Sequence, residues 1–465
     1  MAQEGRDDAG RRPSYPEPRG TLKEDVDLES RRRAVGARQA GRHPVDAAQR
    51  GAAQGVAAQA EFTAGRPGHA GALPIAVREA RARLHAHRLL RRSRLHRGHQ
   101  GISCPPCRSM HLQVAPLDAR FPQLVRWSDP CYARDAIAGA CAASEVARDQ
   151  LPASHYAVTL VRYRPAKRHV LRYDPLETPE RGTMFAKLYP SEKGERVHRV
   201  ATQVAEWLGD HREGMTSVRP LAYVAEDAVV LYPRVVGAPL CDYLRRPGPG
   251  VARCLERAGA ALHALHSLPQ AVAGPLPVHD FAAEIREVAR DSAHVPALLP
   301  TIGAAIGALL DRAQAVRERL PQEPPTFTHR DFKCEHLLVA PGRLTLIDFD
   351  RCALADPAYD IGKFLADLQS WFFVYNQQGL EQAQERFLAG YAPGAPTERL
   401  LRARLYEAVQ LVQMTVLRAR LFEHHAAYRI ERLIGRAQAV MNNLQSVLDL
   451  TRSLVNRKQP AAISG

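Results

Sequence analysis

Residues 328–350 hold the side chains best suited to chemistry. The chain reads Thr328-His329-Arg330-Asp331-Phe332-Lys333-Cys334-Glu335-His336-Leu337-Leu338-Val339, turns at Pro341-Gly342, and continues Leu344-Thr345-Leu346-Ile347-Asp348-Phe349-Asp350. Two short apolar runs about a Pro-Gly turn predict a β-hairpin. A hairpin returns its outer ends to one edge, so Asp331 and Asp348 are expected to converge there. Such a pair suits phosphoryl transfer. One carboxylate orients an attacking hydroxyl and accepts its proton, while the other holds Mg²⁺ against the β- and γ-phosphates of a nucleotide. Any one of these Asp residues alone reads as an ordinary turn or edge residue. Four acidic positions plus His329, in order along one hairpin, point to a site.

His329-Arg330-Asp331 followed by Asp348-Phe349-Asp350 resembles the catalytic and metal loops of protein-kinase-like enzymes. With Asp356-Pro357-Ala358-Tyr359-Asp360-Ile361-Gly362 behind it, the stretch is similar to the aminoglycoside phosphotransferase (choline-kinase-like) family. In that family an Asp-Pro-x-x-Asp-Ile/Leu-x segment follows the metal loop directly. No Ala-Pro-Glu segment or long activation loop is present, which points away from protein kinases. The resemblance implies that Asp331 positions the acceptor hydroxyl and takes its proton, with His329 and Lys333 beside it. Asp348 is then the principal metal ligand, assisted by His336 or Asp350. Where the family usually has Asn, this chain has His336. Imidazole is a poorer ligand than oxygen for a hard cation. Either His336 works through water, or Glu335 or Asp350 supplies the oxygen, or catalysis is weakened.

Upstream elements must bring the nucleotide to this hairpin. Alternation predicts strands over His155–Tyr163, His169–Tyr173, Met184–Tyr189, Leu221–Val224 and Val229–Tyr232. Lys187 is the one lysine in an otherwise apolar strand. It is read as the residue that holds the α- and β-phosphates; an edge lysine facing solvent is the plain alternative. No Gly-rich loop precedes it. The turn carries Arg164, Lys167 and Arg168, which either meet phosphates by charge or form a solvated basic turn. A helix over Glu195–Leu208 places Val197, Val200, Ala201, Val204 and Leu208 on one stripe. Glu195 is the first choice as partner of Lys187 and Glu206 the alternative; the third reading is that no such pair forms. Pro233–Leu240 reads as a hinge between lobes, where backbone groups would bracket adenine.

Beyond the hinge the pattern is helical: Ala252–Ser267, Asp280–Asp291, Ile302–Leu320, Ile361–Tyr375, Leu380–Tyr391, Glu398–Phe422 and Ile430–Val455. His263 and His266 read as interface residues. A helix from Ala136 to Arg148 precedes the strands. Asp360 is placed to cap a helix, and the resemblance adds a role bracing the catalytic loop. Trp371, Phe372, Phe373 and Tyr375 either line an acceptor pocket or pack in the core.

The chain has 465 residues and a net charge of +15, which ordinarily suggests nucleic acid or an anionic membrane. The charge is uneven. Residues 1–109 carry 21 Arg and Lys against 11 Asp and Glu, leaving the body close to balance. This leader has only Tyr15 and Phe62 as aromatics and cannot bury enough apolar surface to offset its conformational entropy. It lacks the apolar region of a signal peptide, and Ile75–Arg97 within it reads as a short basic amphipathic helix that is solvated or transient. Globular composition begins at Met110, which is taken as the native start. Eight scattered cysteines imply no disulfide framework and fit a reducing cytoplasm. Cys104-Pro105-Pro106-Cys107 lacks the second ligand pair of a zinc site, and Cys334 and Cys352 read as small packed residues.

The fold expected is α+β and protein-kinase-like in two lobes: a small N-lobe with an antiparallel sheet over 110–235 and a larger helical C-lobe over 236–457. A disordered leader covers 1–109 and a tail 458–465. The function expected is transfer of the γ-phosphate of ATP, with Mg²⁺, to a hydroxyl of a small molecule such as an aminoglycoside, amino sugar, sugar or amino alcohol. The alternative is a nucleotide-binding pseudokinase with weak or no turnover. Partners are the nucleotide and the small-molecule acceptor, in the cytoplasm, without nucleic acid or a membrane span.

Overall fold

The computed structural model describes residues 117–144, 153–177, 182–211, 215–418 and 426–458. The leader, the helix expected over Ile75–Arg97, the Cys104 and Cys107 pair and the start at Met110 lie outside them.

The alternating segments form strands β1 (Tyr156–Arg164), β2 (Arg168–Pro175), β3 (Met184–Leu188), β4 (Met215–Ser217), β5 (Ala222–Val224) and β6 (Val229–Pro233). Five of these make an antiparallel sheet in the order β1-β2-β3-β6-β5. Helices α1 (Gln123–Ser128) and α2 (Pro130–Ala143) cover one face, setting Leu124, Trp127 and Ile137 against Leu171 and Tyr173. Helix α2 begins ahead of the expected Ala136 because Pro130 sits in its first turn and the Asp129 side chain accepts the amide of Cys131. Helix α3 (Lys193–His211) lies on the opposite face with its apolar stripe buried as expected.

The hinge segment crosses to β7 (Ala238–Pro239), which pairs with Leu338 and Val339. Gly237, at φ +135°, permits that approach, because a side chain there would meet the Val339 carbonyl at 2.9 Å. Two small sheets follow. One has the order β4-β11-β10-β7, with β10 (Leu337–Ala340) and β11 (Arg343–Leu346). The other has the order β8-β12-β9, with β8 (Val278–His279), β9 (Thr326–Thr328) and β12 (Ala353–Ala355).

The longer helices of this part are α4 (Pro249–His266), α5 (Phe281–Ser292), α6 (Pro300–Glu318), α7 (Ala358–Val374), α8 (Leu380–Tyr391), α9 (Thr397–Arg418) and α10 (Ala426–Lys458). Helix α7 is buried on every side from Ala358 to Ser370, so it is the central helix of the large core. Gly362 lets α9 come close: a methyl group there would sit 2.5 Å from the Ala403 carbonyl. The architecture is the expected two-lobe α+β arrangement. Among the described residues no helix is long and apolar enough to cross a membrane.

One buried acid fastens α1 and α2 to the sheet. Trp127 Nε1 and Tyr132 Oη donate to Asp227 at 2.8 and 2.5 Å, and Arg126 pairs with the same carboxylate. Asp227→Ala leaves these donors unsatisfied and should lower stability by about 2–4 kcal/mol. A urea-midpoint shift equivalent to less than about 0.5 kcal/mol would contradict this account.

Candidate active site

The hairpin forms as expected, with Leu337 opposite Leu346 and Ala340 opposite Arg343. Its outer ends meet: ligand atoms of Asp331, His336 and Asp348 all lie within 4.8 Å of one another. Two non-glycine residues here adopt left-handed backbone, Arg330 at φ +57° and Asp348 at φ +71°. Each such conformation costs about 1–2 kcal/mol, so neighbours must hold it. Around Arg330, helix α7 does so with two carboxylates. Asp360 accepts the amides of His329 and Arg330 at 2.7 and 2.8 Å, and Asp367 accepts that of Cys334 at 2.7 Å. His266 lies 3.2 Å from Asp360, with its other ring nitrogen 2.8 Å from Tyr391 Oη.

His329 does not match the catalytic role expected for it. Its ring is fully buried; Nε2–H donates to the Ile347 carbonyl at 3.2 Å and Nδ1 accepts the Asp331 amide at 3.2 Å. It joins the two limbs of the hairpin and is a positioning residue. Lys333 does reach the site, with Nζ 3.1 Å from Asp331 Oδ2 and 3.6 Å from Glu335.

Opposite the hairpin stand two cations from the sheet. Lys187 Nζ donates to Asp348 Oδ1 at 2.8 Å and to Asp350 Oδ1 at 2.7 Å. Arg168 donates to Asp348 Oδ2 at 3.0 Å and Asp350 Oδ2 at 2.6 Å, while Tyr189 Oη donates to Asp350 Oδ1 at 2.7 Å. These contacts correct two expectations. Glu195 is exposed and Glu206 pairs with Arg219 at 2.7 Å, so neither serves Lys187. Asp350 lies outside the cluster of possible metal ligands, although its two oxygens, like those of Asp348, accept from Lys187 and Arg168. Glu335 is also outside it, 3.4 Å from Arg418. Arg164 and Lys167 stay exposed in the β1–β2 turn, where Ala166 has φ +58°. Asp118 clips that turn, accepting the Ala166 amide at 2.6 Å and meeting His169 Nε2 at 2.8 Å.

The charges set each other's state. Burial would raise the Asp331 carboxyl, but His336, Lys333 and Lys363 outweigh it and hold it well below the usual carboxylate range. Burial draws His336 below its ordinary value despite Asp331 and Asp348 beside it. Burial likewise opposes ionisation of Asp348, and Lys187, His336 and Arg168 reverse the sign. Lys363, absent from the sequence reading, is buried on α7 with Nζ donating to Gln410 at 2.8 Å. Burial pushes its ammonium down to about 8, against the pull of Asp331. Tyr189 was equally unforeseen, since a strand tyrosine carries no local signal of a distant carboxylate partner.

A second acidic group, Glu284 and Glu287 with His279, is filled by guanidinium groups. Arg330 reaches the two glutamates at 3.2 and 3.1 Å, and Arg351 reaches Glu287 at 2.6 Å. Burial opposes the charge on Glu284, yet His279 and Arg330 hold its carboxyl at about 2. It is an ion-pair network behind the loop. Cys334 and Cys352 are buried, and burial raises both thiols well above their ordinary value. Phe372 belongs to the core, while Trp371 stacks on Tyr375 with ring centroids 5.2 Å apart. Phe372 and Phe373 also line a cavity of about 680 Å³ that shares no residue with the Asp331 cluster.

Two carboxylates and an imidazole converging within one cation's reach fit a divalent metal ion. Residues 175–403 match the model of the phosphotransferase enzyme family. No curated protein matches the chain. Among solved structures, a choline/ethanolamine kinase family protein from Mesorhizobium loti is 18% identical, with 69% of this chain and 99% of that one covered and a TM-score of 0.47. A spectinomycin phosphotransferase, in complex with ADP and spectinomycin, is 14% identical over 63% of this chain and 94% of its own, at 0.43. An ethanolamine kinase from Plasmodium vivax is 10% identical over 62% and 83%, at 0.42.

The lowered Lys363 has a stability signature. Between its folded value near 8 and the unfolded lysine range, the unfolded chain keeps a proton that the folded protein has lost. Stability contributed by this site therefore rises with pH across that window, by up to about 3 kcal/mol. The difference in unfolding free energy between wild type and Lys363→Met, followed from pH 7 to 10, should show that rise. Parallel curves for the two proteins would contradict the burial cost assigned to this lysine.

Proposed function

The chain belongs, over residues 175–403, to the phosphotransferase enzyme family, and from that premise we propose that it transfers the γ-phosphoryl group of ATP to a hydroxyl of a small molecule. The observation that carries the reading is the convergence of Asp331, His336 and Asp348 within 4.8 Å, facing Lys187 and Arg168. Asp331 is the base. Held ionised by Lys333 and Lys363, its carboxylate orients the acceptor O–H and takes its proton as the oxygen forms the new bond to phosphorus. The bond from γ-phosphorus to the bridging oxygen breaks, and ADP leaves. Lys187 and Arg168, which pair with Asp348 and Asp350, supply the positive charge that would meet the nucleotide phosphates. A divalent cation held by Asp348 and His336 would neutralise charge on the β- and γ-phosphates. His329, Asp360 and Asp367 fix the loop geometry on which this depends.

The acceptor belongs to the class of small alcohols that includes aminoglycosides, amino sugars, sugars and amino alcohols. A second reading, nucleotide binding without turnover, is favoured by the imidazole of His336 standing where an oxygen ligand would suit Mg²⁺ better. A panel of such alcohols, with ATP and a divalent cation, separates the two readings: binding without turnover on any acceptor supports the second. On an accepted substrate, Asp331→Ala should lower kcat by about 10²–10⁴-fold with nucleotide affinity changed less than about threefold. Loss of nucleotide affinity with retained turnover would refute the assignment of Asp331 as base.

A further inference from the structure

We propose that the cation site of this protein takes a nitrogen ligand, Nε2 of His336, and so favours borderline first-row cations such as Co²⁺ over Mg²⁺. The inference rests on the reading above that a nucleotide-bound cation sits at Asp348. Its basis is the way the ring is held. His336 Nδ1 lies 2.9 Å from the main-chain carbonyl oxygen of Asp331, a group that can only accept. Nδ1 therefore carries the hydrogen, and in the neutral ring the lone pair is on Nε2. That atom faces Asp348 Oδ2 at 3.5 Å. Two donors each about 2.1 Å from a common ion sit roughly 3–3.5 Å apart. A carbonyl bound to the far nitrogen is also the usual way a protein orients a ligating imidazole.

The main chain that carries the ring is fixed on both sides. The His336 amide donates to the Lys333 carbonyl at 2.9 Å, and the His336 carbonyl accepts the Ile347 amide at 3.0 Å, one residue before Asp348. The imidazole and the carboxylate are thus parts of one rigid unit. Imidazole binds cobalt, nickel, copper and zinc well, whereas Mg²⁺ prefers oxygen and gives up water reluctantly. A fixed nitrogen donor therefore discriminates among cations by identity.

The test uses Mn²⁺ as a spectroscopic probe on the full chain with ADP. Pulsed EPR of bound Mn²⁺ should show nitrogen coupling that changes on [¹⁵N]histidine labelling of the wild-type protein and vanishes in His336→Asn. Displacement of Mn²⁺ should require less Co²⁺ than Mg²⁺, and that gap should narrow by about tenfold or more in His336→Asn. Mn²⁺ bound with ADP but without histidine coupling would overturn the inference and leave the nucleotide site standing, as would an equal cation gap in both proteins. Failure of Mn²⁺ to bind with ADP at all would overturn both. The isotope measurement needs no variant, so a poorly folded His336→Asn protein does not affect it.

Discussion

Two carboxylates on one loop, Asp348 and Asp350, meet two cations from adjacent strands, Lys187 and Arg168, and most of the molecule is arranged to permit that exchange of charge. Each group is largely removed from water, where an unpaired charge would be expensive. Together they neutralise one another. The pairing also spans the protein, because β2 and β3 supply the cations and the hairpin loop supplies the acids. Removal of any one member strands its partners, which ties sheet and hairpin into one electrostatic unit. Tyr189 adds a neutral donor to the more deeply buried carboxylate.

Among the described residues, two of the five non-glycine positions with positive φ, Arg330 and Asp348, lie at the candidate site. Arg330 and Asp348 occupy left-handed backbone that only dense surroundings can enforce. Around Arg330, helix α7 provides those surroundings from one face, since Asp360 and Asp367 lie seven residues, about two turns, apart. Both accept main-chain amides of the loop, so the braces read backbone shape and are indifferent to the side chains displayed. Gly362 between them allows α9 to press against the helix, which makes the brace stiff.

Much of this was legible in the sequence because it is local. The Pro-Gly hairpin, the stripe of α3 and the helices after the hinge follow from periodicity and punctuation. What escaped was long-range pairing. Lys187 was expected to seek Glu195 on the next helix, but the structure satisfies it with residues more than 150 positions away. Asp350 and Asp348 look equivalent in sequence, and both accept from Lys187 and Arg168; only the fold sets the oxygens of Asp348, and not those of Asp350, beside Asp331 and His336. His329 has the composition of a catalytic histidine, and its role as a strut depends on which carbonyl its ring can reach. Helix α1 is six residues long between prolines, too short to generate a periodic signal.

The turn that presents Arg168 obtains its shape from outside the sheet. It contains no glycine, yet Ala166 is left-handed there, and the carboxylate of Asp118 compensates by capturing its amide. Asp118 and the whole of β1 precede residue 175, where the family match begins. The minimal family segment therefore omits both the arginine that faces the acid pair and the anchor that aims it. In this protein the segment that matches the family model receives one of its two facing cations from the flank that precedes it.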